Sequence, residues 1–403
     1  MSTKTNDSPD AAVKAAALAT FVVFGINGLV FASWAARIPA VTQTLQITSG
    51  QMGTLLLCTA VGSLLALPTA GLVVGRIGTA NTVRVGGLVA ALAGTGIAFS
   101  LSAASIPGTA VSLFFFGIAV GLWDVAQNIE GADVEHRLRR TVMPQLHAAF
   151  SGGAFIGALV GAGLSTIGVD LPLHLLVIVA VVLVVTMVAP RYFLPHISTA
   201  TPVGEPKPAK GPSAWRDSRT LLIGVVVLGA TLTEGAGNDW IAKASVDGLG
   251  TSESTGALMF ALFVLAMTAM RFLGGRVIDT YGRVAVLRAS MAAAAAGLCL
   301  FVLAGNIWLA AAGAALWGVG AALAFPMGMS AAADDPRRAA ARVSVVSTLG
   351  YVSFLAGPPL LGYLGDVTGI HRALLAILIP ILVALVLAKA AKPLKIEPGT
   401  PTS

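Results

Sequence analysis

GLVVGRIG, residues Gly71–Gly78, returns about 204 positions later as GRVIDTYG, residues Gly275–Gly282. Upstream of each copy the correspondence continues. SWAARIPA from Ser33 aligns with DWIAKASV from Asp239, so that Trp34 matches Trp240 and Arg37 matches Lys243. TSGQMGTLL from Thr48 then aligns with TSESTGALM from Thr251. A correspondence on this scale means that one structural unit is built twice along the chain.

The repeated unit belongs in lipid. Apolar residues make up 56% of the 403 positions and charged ones only 11%, too little charge to cover a water-soluble surface. Apolar runs of roughly 20 residues, long enough for a hydrocarbon core of about 30 Å, fall at 14–36, 50–74, 82–102, 107–130, 144–168, 172–190, 220–242, 253–275, 284–304, 307–331, 343–365 and 371–390. The expected fold is all-α: twelve transmembrane helices in two pseudo-symmetric six-helix bundles, residues 1–195 and 219–403. A Pro-rich polar stretch over 196–218 reads as a flexible cytoplasmic linker. Two bundles of the same orientation imply a two-fold axis along the membrane normal and a cleft between them, the kind of place where a solute is held.

The net charge of +7 would suit nucleic acid, but the basic residues argue for a bilayer instead. Arg76 and Arg84, Arg137 to Arg140, Lys207 to Arg219, Arg276 to Arg288, Arg337 to Arg342 and Lys389 to Lys395 all fall in alternate loops. Positive loops stay in the cytoplasm, which puts both termini there, and the alanine-rich, arginine-over-lysine composition points to a bacterial inner membrane. Arg37, Lys243 and Arg372 fall in the opposite loops, and Arg271 inside a span. The apolar stretch after the polar first twelve residues is too long for a cleaved signal and reads as a retained helix. Cys58 and Cys299 lie in spans of opposite halves and read as packing residues.

GGRVIDTYGRVAVLR, Gly274–Arg288, resembles the loop signature of the major facilitator superfamily, with Gly275, Asp279, Gly282 and Arg283 at the expected spacing. The first-half copy keeps Gly71, Arg76 and Gly78 but has Gly75 where the family usually places its aspartate. The resemblance implies that Asp279 and Arg283 form a latch favouring one conformation. GLWDVAQNIEG, with Asp124 four residues before Asn128, and EGAGNDW, with Glu234 six before Trp240, are similar to the fucose-permease-like sugar:proton symporters. GGAFIGALVGAG from Gly152 lacks the proline seen in the fifth helix of drug:proton antiporters.

A carboxylate inside a span costs roughly 2.5–3.5 kcal/mol, so it needs a partner, a wet cavity or a proton. Asp124 shares a helical stripe with Gly117, Gly121 and Asn128, and His147 with Ser151 falls at similar depth on the next helix. Asp124 and His147 are candidates to share a proton. Glu234, on one face with Thr231 and Asn238, is the candidate for both substrate and proton. Asn27, Phe31 and Trp34 on the first helix would stack on and bond a sugar-like solute; Trp34 and Trp240 read equally as interfacial anchors. Ser347, Tyr351 and Phe354 form a stripe ending at Pro358 and Pro359, where a kink is expected. Glu130, Asp133 and Glu135 read as gate or surface charges facing Arg137 to Arg140, and Met259, Phe263 and Met267 as packing. No P-loop, nucleophile with its base, or His/Cys cluster occurs, so no enzyme activity, cofactor or metal is expected. The expected activity is secondary transport by a monomer working by alternating access, with a sugar-like or other small polar solute and protons carried in symport. Proton-coupled efflux of drugs or metabolites is the alternative.

Overall fold

The computed structural model describes residues 11–195, 213–335 and 338–394, and among them every regular element is helical. The first half comprises α1 (Ala11–Ala35), α2 (Ile38–Leu45), α3 (Ser49–Ser102), α4 (Ile106–Leu138), α5 (Met143–Thr166) and α6 (Leu171–Val188). The second comprises α7 (Ser218–Leu249), α8 (Glu253–Tyr281), α9 (Arg283–Leu303), α10 (Ile307–Ala321), α11 (Ala324–Ala332), α12 (Ala339–Thr368), α13 (Ile370–Ala373) and α14 (Leu378–Leu387). The linker expected over 196–218 lies outside the described residues as far as residue 212.

Among the described residues, eleven stretches are long and apolar enough to span a membrane. One of them, α3, has 54 residues, about 81 Å at 1.5 Å per residue and more than twice a hydrocarbon core. It is two crossings joined at Gly78, whose φ of 79° and ψ of 165° are not helical. α10 with α11, and α13 with α14, each make one crossing, so the total is twelve in two six-helix bundles. The turn that opens the repeat is conformationally duplicated: Gly282, the counterpart of Gly78, has φ 80° and ψ 151°. Gly168 and Gly369, at the turns after α5 and α12, share φ values of 75° and 81°. Glycine reaches this region without the Cβ clash that other residues meet.

Helix starts repeat as well. The Thr48 hydroxyl accepts from Gln51 N–H while Gln51 Oε1 accepts from Thr48 N–H, a reciprocal cap. Ser252 caps α8 by accepting from Thr255 N–H, so the structural register is Thr48 with Ser252. That is one residue off the sequence alignment.

Within the bundles, apolar burial against lipid gives little drive, and close backbone approach at small residues replaces it. A Cβ on Gly28 would lie 1.8 Å from the Phe150 carbonyl oxygen, and one on Gly153 1.8 Å from that of Gly25. α1 and α5 therefore cross backbone to backbone. Gly153→Val is expected to cost about 1–3 kcal/mol, read as a lowered melting temperature in detergent. Gly152→Ala, beside it but with open space around the new methyl, serves as a neutral control.

Two compact units emerge, and they do not divide at the linker. The first joins Met1–Thr199 to Asn238–Leu265 and Pro358–Ala373; the second holds Ala200–Gly237, Ala266–Gly357 and Leu374–Ser403. The first unit gains second-half segments through side-chain bonds at the helix ends opposite the basic loops. There Arg37 pairs with Glu253 and also donates to the Val169 carbonyl at 3.1 Å, while Ser165 donates to Glu253 at 3.1 Å. The Lys243 ammonium reaches Thr42 Oγ1 at 3.3 Å. Asp366 accepts from Thr48 Oγ1 (2.9 Å) and Gly50 N–H (3.0 Å), completing the start of α3.

Candidate functional site

In the first unit, the Asp124 stripe divides. Cβ atoms on Gly117 and Gly121 would meet the carbonyls of Thr59 and Ser63 at 2.0 and 2.9 Å, so the glycines press α4 against α3. Half-buried Asp124 takes its side-chain bond from a residue the stripe did not include: Gln127 Nε2 donates to Oδ1 at 3.0 Å. Asn128 donates instead to the Asp124 backbone carbonyl at 2.8 Å. His147 is exposed and packs edge-on to Phe24, 5.4 Å between ring centroids. Phe31 stacks on Phe150 at 6.4 Å and 29°, beside buried Asn27 and Ser151.

Trp34 does not join this group. Its indole is buried and lines an apolar void with Val30, Phe116, Leu175 and Ile178. Trp240 is fully buried, so neither tryptophan is an interfacial anchor. Glu130 is not a surface charge either: it is buried, accepting from Thr79 Oγ1 at 2.6 Å and Leu194 N–H at 2.7 Å. Glu135 accepts from Val142 and Met143 N–H, the start of α5, and Asp133 alone pairs with Arg137, at 3.0 Å.

In the second unit, Glu234 has a cationic partner. Arg271 Nη2 on α8 lies 2.8 Å from Glu234 Oε1 on α7. The glutamate side chain is 19% exposed and the arginine 34%. Arg271 Nε also donates to the Ala322 carbonyl at 3.2 Å. That carbonyl is available for a reason written in the sequence: its helical donor would be the N–H of Pro326, which proline lacks. The same break separates α10 from α11. Nearby, Thr231 Oγ1 meets Ser353 Oγ at 2.9 Å, tying α7 to α12, and the Phe354 ring lies over Gly235. Tyr351 is 42% exposed. Ser347 turns its hydroxyl towards Met329 sulfur at 3.8 Å. Asn238 lies one turn beyond Glu234 on α7 and is partly buried. Met259, Phe263 and Met267 are buried in packing.

The expected latch is rearranged. Exposed Asp279 makes no hydrogen bond or ion pair among the described residues, whereas Arg283 pairs with Asp334 at 2.9 Å. Asp334 also receives Arg219 at 2.8 Å. Arg283 points from the start of α9 across to the end of α11, away from its own loop. In the same cluster Arg342 lies 3.1 Å from Asp217. Burial pushes the Asp217 carboxyl up, but the Thr220 hydroxyl and the Arg342 guanidinium outweigh it and hold the group below its ordinary value. A depressed carboxylate stabilises the fold above its unfolded value, about 3.9, and the stability is lost as pH falls through the folded value. Wild type and Asp217→Asn are therefore expected to differ in melting temperature at neutral pH and to converge in acid, below about pH 4.

The Major Facilitator Superfamily family model matches twice, over residues 16–238 and 228–402, one match for each copy of the repeat. An uncharacterized transporter of Sinorhizobium fredii (strain NBRC 101917 / NGR234), y4wD, is 32% identical over 374 residues, covering 89% of this chain and 96% of its own. The membrane protein MosC of Rhizobium meliloti is 30% identical, with 88% and 85% covered. Among solved structures, the nucleoside transporter NupG is similar with a TM-score of 0.73 at 13% identity, covering 93% of this chain and 98% of its own. The E. coli fucose:proton symporter FucP (N162A) has a TM-score of 0.62 at 16% identity, covering 95% and 99%. Likeness at such identity is likeness of fold, and it does not single out the fucose-permease-like branch. With twelve crossings, a duplicated unit and a family model that fits each copy, the chain belongs to the major facilitator superfamily and is a membrane transporter of that type.

Proposed function

We propose that the protein is a proton-coupled symporter of a small polar solute, sugar-like in its hydroxyl-rich chemistry, working by alternating access in a bacterial inner membrane with both termini cytoplasmic. The observation that carries this reading is the Glu234–Arg271 pair inside two spans, with the arginine side chain about a third exposed. An ion pair in a span is expensive unless it serves a pathway. A proton on Glu234 removes the charge that holds Arg271, and the freed guanidinium donors then bind solute hydroxyls. Tyr351 and Ser347 supply further polar contacts in the second unit; Asn27, Phe31, Asn128, Ser151 and Asn238 are the solute-binding candidates of the first. Asp124 and His147 form a second proton-handling pair. Two structural neighbours, named for nucleosides and for fucose with protons, carry ring-bearing, hydroxylated solutes, which agrees with the class proposed.

The solute is to be found by thermal shift of the purified protein against sugars, nucleosides, amino acids and drugs, because a ligand of the folded state raises its melting temperature. Added outside proteoliposomes, it is expected to make the external medium more alkaline as protons enter with it. External acidification would establish the efflux antiporter instead.

A further inference from the structure

One acid on α7 is left without a partner. Asp239, the first residue of the second-half repeat DWIAKASV, is partly buried within the span, and it makes no hydrogen bond or ion pair among the described residues. Lys243 stands one turn further along the same face. Its ammonium, on a side chain only 8% exposed, pairs with Asp247 at 2.7 Å and reaches across to Thr42 Oγ1 of the first half at 3.3 Å.

The pairing chosen is the less favourable of two. Asp239 and Asp247 lie four residues before and four residues after Lys243, and in a helix the acid does better when it precedes the base. Two ionised carboxylates competing for one ammonium would give it to Asp239, the more buried and the better placed. The ammonium is instead on Asp247. The other charged groups at this end are engaged elsewhere or face outward: Arg37 with Glu253 and Val169, Asp366 with Thr48 and Gly50, and Asp170 with Leu173 N–H. His371 directs Nδ1 to the Ala244 carbonyl, His174 is buried on α6, and Arg372 is exposed.

We infer that Asp239 is a proton-binding site, protonated in this conformation, and that losing its proton draws Lys243 away from Asp247 and Thr42. The proton leaves as hydronium, the carboxylate left behind takes the ammonium, and one bond joining the two sequence halves is broken. Low pH therefore favours the joined state and high pH weakens it. The site acts independently of Glu234.

The test uses the full chain in lipid nanodiscs, with Cys58→Ser and Cys299→Ala and with spin labels at Thr44→Cys and Ser252→Cys, positions exposed on the two sides of this contact. Pulsed dipolar distances are expected to lengthen as pH rises. Asp239→Asn should hold the short distance at every pH, and Asp239→Glu should restore a titration. Asp247→Asn, which frees Lys243, should move the transition to lower pH. If Asp239→Asn does not fold, the Asp247→Asn shift decides. A wild-type distance that does not respond to pH, an Asp239→Asn titration like that of wild type, or an unmoved transition in Asp247→Asn would overturn the inference.

Discussion

Replacing Glu234 by glutamine is expected to abolish uphill accumulation of solute while leaving exchange of solute for solute intact. The amide has nearly the shape of the carboxylate and still accepts from Arg271, so the link between α7 and α8 at 2.8 Å survives in weakened form. What it cannot do is gain and lose a proton. A membrane potential of 100 mV is worth about 2.3 kcal/mol per charge, which corresponds to an accumulation of about 50-fold at 1.4 kcal/mol per tenfold. In the variant that ratio should fall to about one. Radiolabelled uptake under an imposed potential, beside counterflow in its absence, separates the two properties.

The second large effect belongs to Arg271. Arg271→Gln leaves Glu234, only 19% exposed, without its counter-charge, and removes the donor that satisfies the Ala322 carbonyl. Breaking a buried pair from one side costs about 3–5 kcal/mol. Because the arginine side chain is a third exposed, the lower end, about 3 kcal/mol, is expected. The double variant Glu234→Gln with Arg271→Gln should recover most of the lost melting temperature, since no lone charge then remains, yet it should not recover accumulation. Recovery of stability without transport distinguishes a working pair from a structural tie.

How much of this was legible in the sequence depends on the range of the contact. Span positions and the duplication were readable because lipid imposes length and apolarity on each helix separately, and because Gly78 and Gly282 need the same backbone conformation. The intramembrane cost of a charge singled out Glu234 and placed Arg271 inside a span. Their pairing was not readable, since it depends on how α7 and α8 pack. Pro326 was in plain view, but its consequence, a free Ala322 carbonyl that holds Arg271, appears only once α10 and α11 are placed beside α8. The same limit explains the latch, where Arg283 bonds Asp334 just past α11 and Asp279, in the last turn of α8, is left exposed. Trp34 was misplaced for a related reason. Neighbours on one helical face, such as Asn27, Phe31 and Trp34, need not share surroundings when one end of the helix packs against α5 and the other closes on an apolar void.

Coupling of solute to protons is most directly tested by imposing a pH gradient, acid outside, on proteoliposomes containing the purified protein and the solute found by thermal shift. Accumulation above the external concentration, collapsed by a protonophore, is the expected result. Equilibration to equal concentrations whatever the gradient, or extrusion against it, would contradict the proposal.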